Sequence, residues 1–306
     1  MTSALLPNGI EVEYDTFGSS DDPVLLLVMG LGAQMIVWEE GFCRRLADGG
    51  RYVVRFDNRD VGLSTKLSDQ IVDPMAVMAA ALTGAAIPSV PYLLSDMAAD
   101  AVALLDHLDV GRAHVVGASM GGMIVQTMAI EHPDRLISVT SVMSTVGDPA
   151  YGSATAEAMG ALLAPPPTTR DEAIAAAAHW EILGTKRYFD LERNQRIAAA
   201  QFDRSPDRAG TARQLAAIIA SGDRTPALQS VAVPMLVIHG HDDQLIDISG
   251  GRRTAELVPG AQLLEVADMG HDMPEPLWPL LTGAILGHGD VAASTGHRSV
   301  NAQVGA

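Results

Sequence analysis

The run His114-Val-Val-Gly-Ala-Ser119-Met-Gly-Gly-Met123 decides how this chain folds. Ala113-His-Val-Val116 is short and apolar, as a buried strand is. It stops at Gly117-Ala-Ser119-Met-Gly121 and gives way to Met123-Ile-Val-Gln-Thr-Met-Ala-Ile130, which is apolar at helical spacing. A strand that becomes a helix through Gly-x-Ser-x-Gly turns so tightly that only glycine fits beside the serine. The serine backbone is then strained, and its hydroxyl stands clear of the sheet edge. The Met120 N–H falls at the helix start, where unpaired donors and the helix dipole favour an oxyanion.

The rest of the chain supplies the setting for that turn. Val24-Leu-Leu-Leu-Val28, Tyr52-Val-Val-Arg-Phe56, Leu136-Ile-Ser-Val-Thr-Ser-Val142, Val233-Pro-Met-Leu-Val-Ile-His239 and Gln262-Leu-Leu-Glu-Val266 read as further strands, with Ile10-Glu-Val-Glu-Tyr14 at an edge. Helices are expected from about 33 to 47, from a Ser95 cap to Leu108, and from Pro274 to Leu286. Buried strands alternating with helices predict a mostly parallel central sheet with helices on both faces. Between 147 and 228 no strand is evident, and the segment reads as an inserted helical cap. The core is then 1–146 with 229–286, and the small polar residues from Gly287 to 306 read as a disordered tail.

Composition narrows the function. With 306 residues, 48% hydrophobic and 19% charged, the chain is long and apolar enough for one large core. A net charge of −17 repels phosphate, which argues against nucleic-acid partners and anionic substrates. Cys43 is the single cysteine, so no intrachain disulfide forms. The first residues lack a basic and apolar leader, and the uncharged run from Pro74 to Leu94 is interrupted by Pro88, Pro91 and Gly84. We therefore expect no transmembrane span and a cytoplasmic protein. The composition is compatible with a homodimer.

Serine needs a base to become a nucleophile. His271 sits in the loop after the last strand, in Ala267-Asp-Met-Gly-His271-Asp-Met-Pro274, where ligands meet an open parallel sheet. Of the other histidines, His107 and His132 fall in helices, His114 in a strand, His179 in the cap, and His288 and His297 near the C-terminus. An acid must orient that base. The loop His239-Gly-His-Asp242-Asp243-Gln-Leu-Ile-Asp247 offers three aspartates. Spacing from Gly240 favours Asp243, with Asp242 second, Asp247 as a helix cap, and Asp148 as an outsider. The same run resembles a zinc-binding stretch, but no second His/Cys cluster completes a ligand set, so no metal and no cofactor are expected. A second oxyanion donor fits at Leu31 N–H, in Met29-Gly-Leu-Gly32, beside Met120 N–H.

Leu27-Val-Met-Gly-Leu-Gly-Ala-Gln34, Arg55-Phe-Asp-Asn-Arg-Asp-Val-Gly-Leu-Ser64 and Val116-Gly-Ala-Ser-Met-Gly-Gly122 together resemble the α/β-hydrolase superfamily, in its actinobacterial carboxylesterase/lipase branch, which includes aclacinomycin methylesterase-like enzymes. The resemblance covers the chain apart from the tail. It implies a nucleophile at Ser119, an acid at Asp243, a base at His271, and oxyanion donors at Leu31 and Met120. Many members carry His-Gly where this chain has Met29-Gly30, a change that leaves the backbone donor intact. The expected chemistry is hydrolysis of apolar small-molecule carboxylic esters through an acyl-enzyme. Cofactor-free perhydrolase chemistry, C–C bond hydrolysis, or a receptor without turnover are the alternatives. Met75, Met78 and Leu82, which with Ile87 would line a flexible apolar groove, and Trp180 of the cap are the expected substrate contacts.

Overall fold

In the computed structural model, residues 2–303 are described, with side chains described for 2–294. Eight strands form one sheet: β1 (Thr2–Leu5), β2 (Glu11–Phe17), β3 (Val24–Val28), β4 (Tyr52–Phe56), β5 (Ala113–Ala118), β6 (Leu136–Val142), β7 (Met235–Gly240) and β8 (Gln262–Val266). Their order across the sheet is β1-β2-β4-β3-β5-β6-β7-β8. β1 and β2 run antiparallel, β2 pairs antiparallel with β4, and the rest of the sheet is parallel.

Two-residue periodicity divides the core. Leu25 and Leu27 of β3 point to one face, where Phe42, Cys43 and Leu46 of α1 (Glu40–Asp48) and Trp278, Leu281 and Ile285 of α12 (Trp278–Gln303) pack. Leu26 and Val28 point to the other face, against α3 (Leu94–His107) and α4 (Met120–Glu131). α2 (Pro74–Thr83) lies outside that layer, and α11 (Ser249–Leu257) bridges β7 to β8. All of β3 and β5 is buried, as strands covered on both faces must be.

Between β6 and β7 the chain inserts α5 (Ala156–Leu162), α6 (Arg170–Ala176), α7 (Trp180–Leu183), α8 (Leu191–Arg204), α9 (Gly210–Ser221) and α10 (Thr225–Leu228). Two buried ion pairs anchor this segment to the loop after β4: Arg204 to Asp57 at 2.6 Å and Arg213 to Asp60 at 2.7 Å. Removing either partner would strand a buried charge.

Four features differ from the expectation. β1 was not foreseen. It is folded back on β2 by the Asn8-Gly9 turn, where Gly9 takes φ +83°. The segment expected as one helix from 33 to 47 is a short turn at Met35–Val37 followed by α1, because the Asp57 carboxylate takes the Met35 N–H and Arg55 takes the Trp38 carbonyl. Ser95 does not cap α3. Leu93 is the N-cap, and its N–H donates to Asp96 of the first turn at 2.7 Å. Finally, α12 continues through Gly287, where a disordered tail was expected. Arg51 pairs with Asp290, buried His288 reaches the Pro234 carbonyl, and Gly289 lies against His114. From residue 295 on, the expected tail lies outside the described side chains.

His114 carries the pH signature of that packing. It is buried on β5 with Nδ1 on Ser138 Oγ at 2.8 Å. Burial first, then the Arg51 charge and His288, push its pKa down to about 4. The folded chain therefore binds fewer protons than the unfolded chain between about pH 4 and the ordinary histidine value near 6.5. Stability should rise with pH across that window, by on the order of 2–3 kcal/mol from this group. Urea unfolding across pH 4–7 should show this slope, and His114→Asn should flatten it.

Candidate active site

The chain leaves β3 toward β4 on one side and β5 on the other. The C-terminal ends of β3 and β5 therefore form the point where strand order reverses, the usual place for ligands in an open parallel sheet. Ser119 stands there, between β5 and α4, at φ +56°. The turn closes because a Cβ on Gly117 would strike the Gly121 backbone, and one on Gly121 would strike the Val28 carbonyl. Ser119 N–H is held by the Val142 carbonyl at 2.9 Å, which fixes the strained residue to β6.

His271 faces this hydroxyl from the loop after β8. Its Nδ1 lies 2.7 Å from Asp243 Oδ2 and its Nε2 lies 2.9 Å from Ser119 Oγ. A carboxylate only accepts, so Nδ1 carries the proton and Nε2 is left to accept from the serine hydroxyl. Asp243 follows β7 and is itself held in place, its Oδ1 accepting from Leu245 N–H and Ile246 N–H at 2.9 Å each. Burial raises the Asp243 carboxyl, but electrostatic attraction and the hydrogen bond from His271, with His239 3.6 Å away, outweigh it and keep the group well below the usual carboxylate range. The carboxylate stays ionised beside the imidazole.

The other candidates fall elsewhere. The Asp242 N–H bonds the Met269 carbonyl, while the Asp247 side chain accepts from Ser249 and Ser153 and the Asp148 side chain accepts from Ala150. His239 is buried with Nε2 on the Ile246 carbonyl at 2.8 Å, 3.6 Å from Asp243, whereas His241 pairs with Glu265 at the surface. The two histidines of the zinc-like run thus serve different sites. Met120 opens α4, where helix N–H groups have no intrahelical acceptor. Gly32 N–H is taken by Gln214 and Ala33 N–H by Gly30, while Leu31 N–H has no acceptor among the described residues. A Cβ on Gly30 would lie 3.1 Å from the Ser119 Cβ, so this backbone passes close to the serine.

A cavity of about 210 Å³ opens over Ser119 and His271. Its wall includes Met29, Leu31, Met143, Leu162, Trp180 and Leu245. From α8 it takes Asn194, Ile197, Ala198 and Gln201, the i, i+3, i+4, i+7 stripe of one helical face. Trp180 is thus at the cavity. Met75, Met78 and Leu82 are not. α2 packs Val77 and Ala80 inward beside α9, and Met75 and Leu82 are exposed. A run rich in alanine and methionine does not by itself say which neighbour it covers.

The site also depends on residues the sequence reading passed over. His271 N–H donates to the Leu183 carbonyl at 2.7 Å, and Gly270 N–H to Thr185 Oγ1 at 2.9 Å. Thr185 in turn gives its N–H and hydroxyl to Asp272 Oδ1, at 2.8 and 2.5 Å. Gly270 is required here, since a Cβ would meet the Gly184 backbone. The inserted segment therefore holds the histidine loop from above. The only sequence signal was a threonine after a glycine, which is too common to single out.

A family model described as alpha/beta hydrolase fold matches residues 23–275. The chain is 27% identical over 294 residues to the rhodomycin D methylesterase DnrP of Streptomyces peucetius, covering 89% of this chain and 92% of the relative. It is 25% identical over 274 residues to 3-oxoadipate enol-lactonase 2 of Acinetobacter baylyi, covering 87% and 88%. Among solved structures, an enol-lactonase from Burkholderia xenovorans superposes with a TM-score of 0.70 at 25% identity, covering 94% of this chain and 99% of that one. The relatives are esterases and related hydrolases, and an enzyme of the esterase type is the common denominator. Among the described residues no helix is long and apolar enough to cross a membrane.

Thr185 offers a direct check on how the histidine loop is held. Thr185→Val leaves the Gly270 N–H and the Asp272 carboxylate each short of a bond and should destabilise the protein by about 1–3 kcal/mol. Thr185→Ser keeps the hydroxyl and should cost much less, both read from urea midpoints.

Proposed function

The chain belongs to the α/β-hydrolase family, and from that premise we propose that it is a serine hydrolase cleaving carboxylic esters of apolar small molecules through an acyl-enzyme. The observation that carries the reading is the unbroken relay Asp243–His271–Ser119, with 2.7 and 2.9 Å links, at the floor of a largely apolar cavity. In this reading Ser119 Oγ attacks the ester carbonyl carbon while His271 Nε2 takes its proton. Asp243 stabilises the imidazolium as it forms. The carbonyl oxygen becomes an oxyanion on the Leu31 and Met120 N–H groups, which point donors at the developing charge without reorganising. Collapse breaks the ester C–O bond, and the leaving alkoxide takes the proton from His271. Water, activated by the same histidine, then adds to the acyl carbon and releases the acid.

The relatives bear on the class of ester. One is named for a methyl ester and another for an enol-lactone, both carboxylic esters, one open and one cyclic. At about 210 Å³ the cavity is smaller than the ~300–1,000 Å³ typical of sites for drug-sized ligands. Compact acids suit it better than long acyl chains. The acidic surface, net −17, fits neutral substrates. We further propose that the protein acts in the cytoplasm, without a metal or cofactor.

Fluorophosphonate labelling tests the reading most cheaply. Wild type should be labelled, and Ser119→Ala should not. kcat for a simple methyl or p-nitrophenyl ester should fall by roughly 10⁴–10⁶ in Ser119→Ala or His271→Ala. An unlabelled wild type that binds esters without turnover would favour a receptor. The cavity wall makes a second prediction. Ile197→Trp should shift the acyl-length profile toward shorter chains, while Met78→Trp should leave it unchanged, in a kcat/KM scan over p-nitrophenyl esters.

A further inference from the structure

One carboxylate on the cavity wall has no part in the proposed relay. Asp272 follows His271 directly, lines the cavity and is partly buried. Its Oδ1 accepts both bonds from Thr185, which fix the orientation of the group. Its Oδ2 has no hydrogen-bond partner among the described residues. Nearby Arg193, also on the wall, is already engaged by Glu39 and lies over the Trp278 ring, so it gives Asp272 no hydrogen bond. Burial pushes the Asp272 carboxyl up, against the Thr185 bonds that lower it.

An acceptor held by one oxygen, with the other left unpaired on the wall of an apolar cavity beside the reacting serine, can tell a hydroxyl from an oxygen that only accepts. A hydroxyl satisfies Oδ2 with a charge-assisted bond. A carbonyl or ether placed there meets a second acceptor and leaves both groups unpaired, the arrangement with which buried polar sites reject mismatched ligands. In a methyl ester, the acid part is the only part large enough to reach this wall. We infer that Asp272 is a specificity-determining residue whose Oδ2 receives a hydroxyl on the acid part of the ester, so that compact hydroxy-acid esters are the preferred substrates. The inference rests on the proposal that the ester carbonyl is presented to Ser119.

Binding without turnover separates the two. The probes are methyl cyclohexanecarboxylate and its 2-, 3- and 4-hydroxy and 2-, 3- and 4-oxo derivatives, matched in size and rigidity. Their affinities are measured by calorimetry at pH 8 on Ser119→Ala protein and on Ser119→Ala/Asp272→Asn protein. At least one hydroxy ester should bind about tenfold or more tighter than its oxo counterpart to Ser119→Ala. With Asp272→Asn that ratio should fall toward one, because asparagine keeps Oδ1 for Thr185 but offers an N–H where Oδ2 was. Equal binding of every hydroxy and oxo pair to Ser119→Ala overturns the inference. So does a hydroxyl preference that survives Asp272→Asn, with unfolding midpoints confirming that the variant is folded. Failure of the esterase reading would show separately, as absence of hydrolysis of all seven esters by wild type.

Discussion

The structure turns on the contact between Gly121 and the Val28 carbonyl. That contact lets α4 start against the end of β3, and it exists only because residue 121 has no side chain. With Gly117 equally crowded by the Gly121 backbone, the chain reverses from strand to helix within a few residues and forces Ser119 to φ +56°. A non-glycine residue in that conformation is strained, and the strain persists because both sides of the turn are fixed. β5 pairs with β3 and β6, and the Ser119 N–H is tied to Val142. Much of the site inherits its position from this turn. The serine stands at the strand-order reversal, the Met120 N–H opens the helix beside it, and the Gly30 backbone passes within contact of the serine Cβ.

The inserted helices act as part of the scaffold. Arg204 and Arg213 reach down into the loop after β4 to bury their charges on Asp57 and Asp60. Asp60 also accepts the Tyr92 hydroxyl, and Asp57 holds Met35 N–H and Leu63 N–H, so each carboxylate is shared among several elements. Buried pairs of this kind add little net stability but strongly penalise a displaced partner. The same segment grips the His271 loop through Leu183 and Thr185. The cavity over the serine is thereby built from a core and an insertion that are bonded at both ends.

How much of this was legible in the sequence follows from how local each signal is. β3 and β5 announce themselves as unbroken apolar runs because both of their faces are covered, and the residues that end them locate the site. Ser119 stands in such a position, directly after β5, whereas His271 follows the part-exposed β8 and is marked only by its place in the loop after the last strand. Asp243 could be ranked above Asp242 by spacing alone, but its two backbone bonds from Leu245 and Ile246 are what aim it at the imidazole, and those depend on how the loop closes. Thr185 and Asp272 were out of reach because they meet across 87 residues, and nothing in either local pattern marks the pairing. The continuation of α12 past Gly287 was hidden for the same reason: His288 and Asp290 are helical because of Pro234 and Arg51, not because of their neighbours. α2 misled in the opposite direction, its alanines and methionines reading as a groove when Val77 and Ala80 cover α9 instead.

For the Asp243–His271–Ser119 relay to act as a nucleophilic site, the hydroxyl at position 119 must become covalently bound to the acid part of an ester. Rapid-quench mass spectrometry of His271→Ala and wild-type protein mixed with a p-nitrophenyl ester reads this directly. Wild type should accumulate an adduct of the acyl mass confined to the peptide that contains Ser119, and His271→Ala should form it far more slowly. Turnover of the ester with no adduct on that peptide, or with an adduct on another residue, would contradict the account.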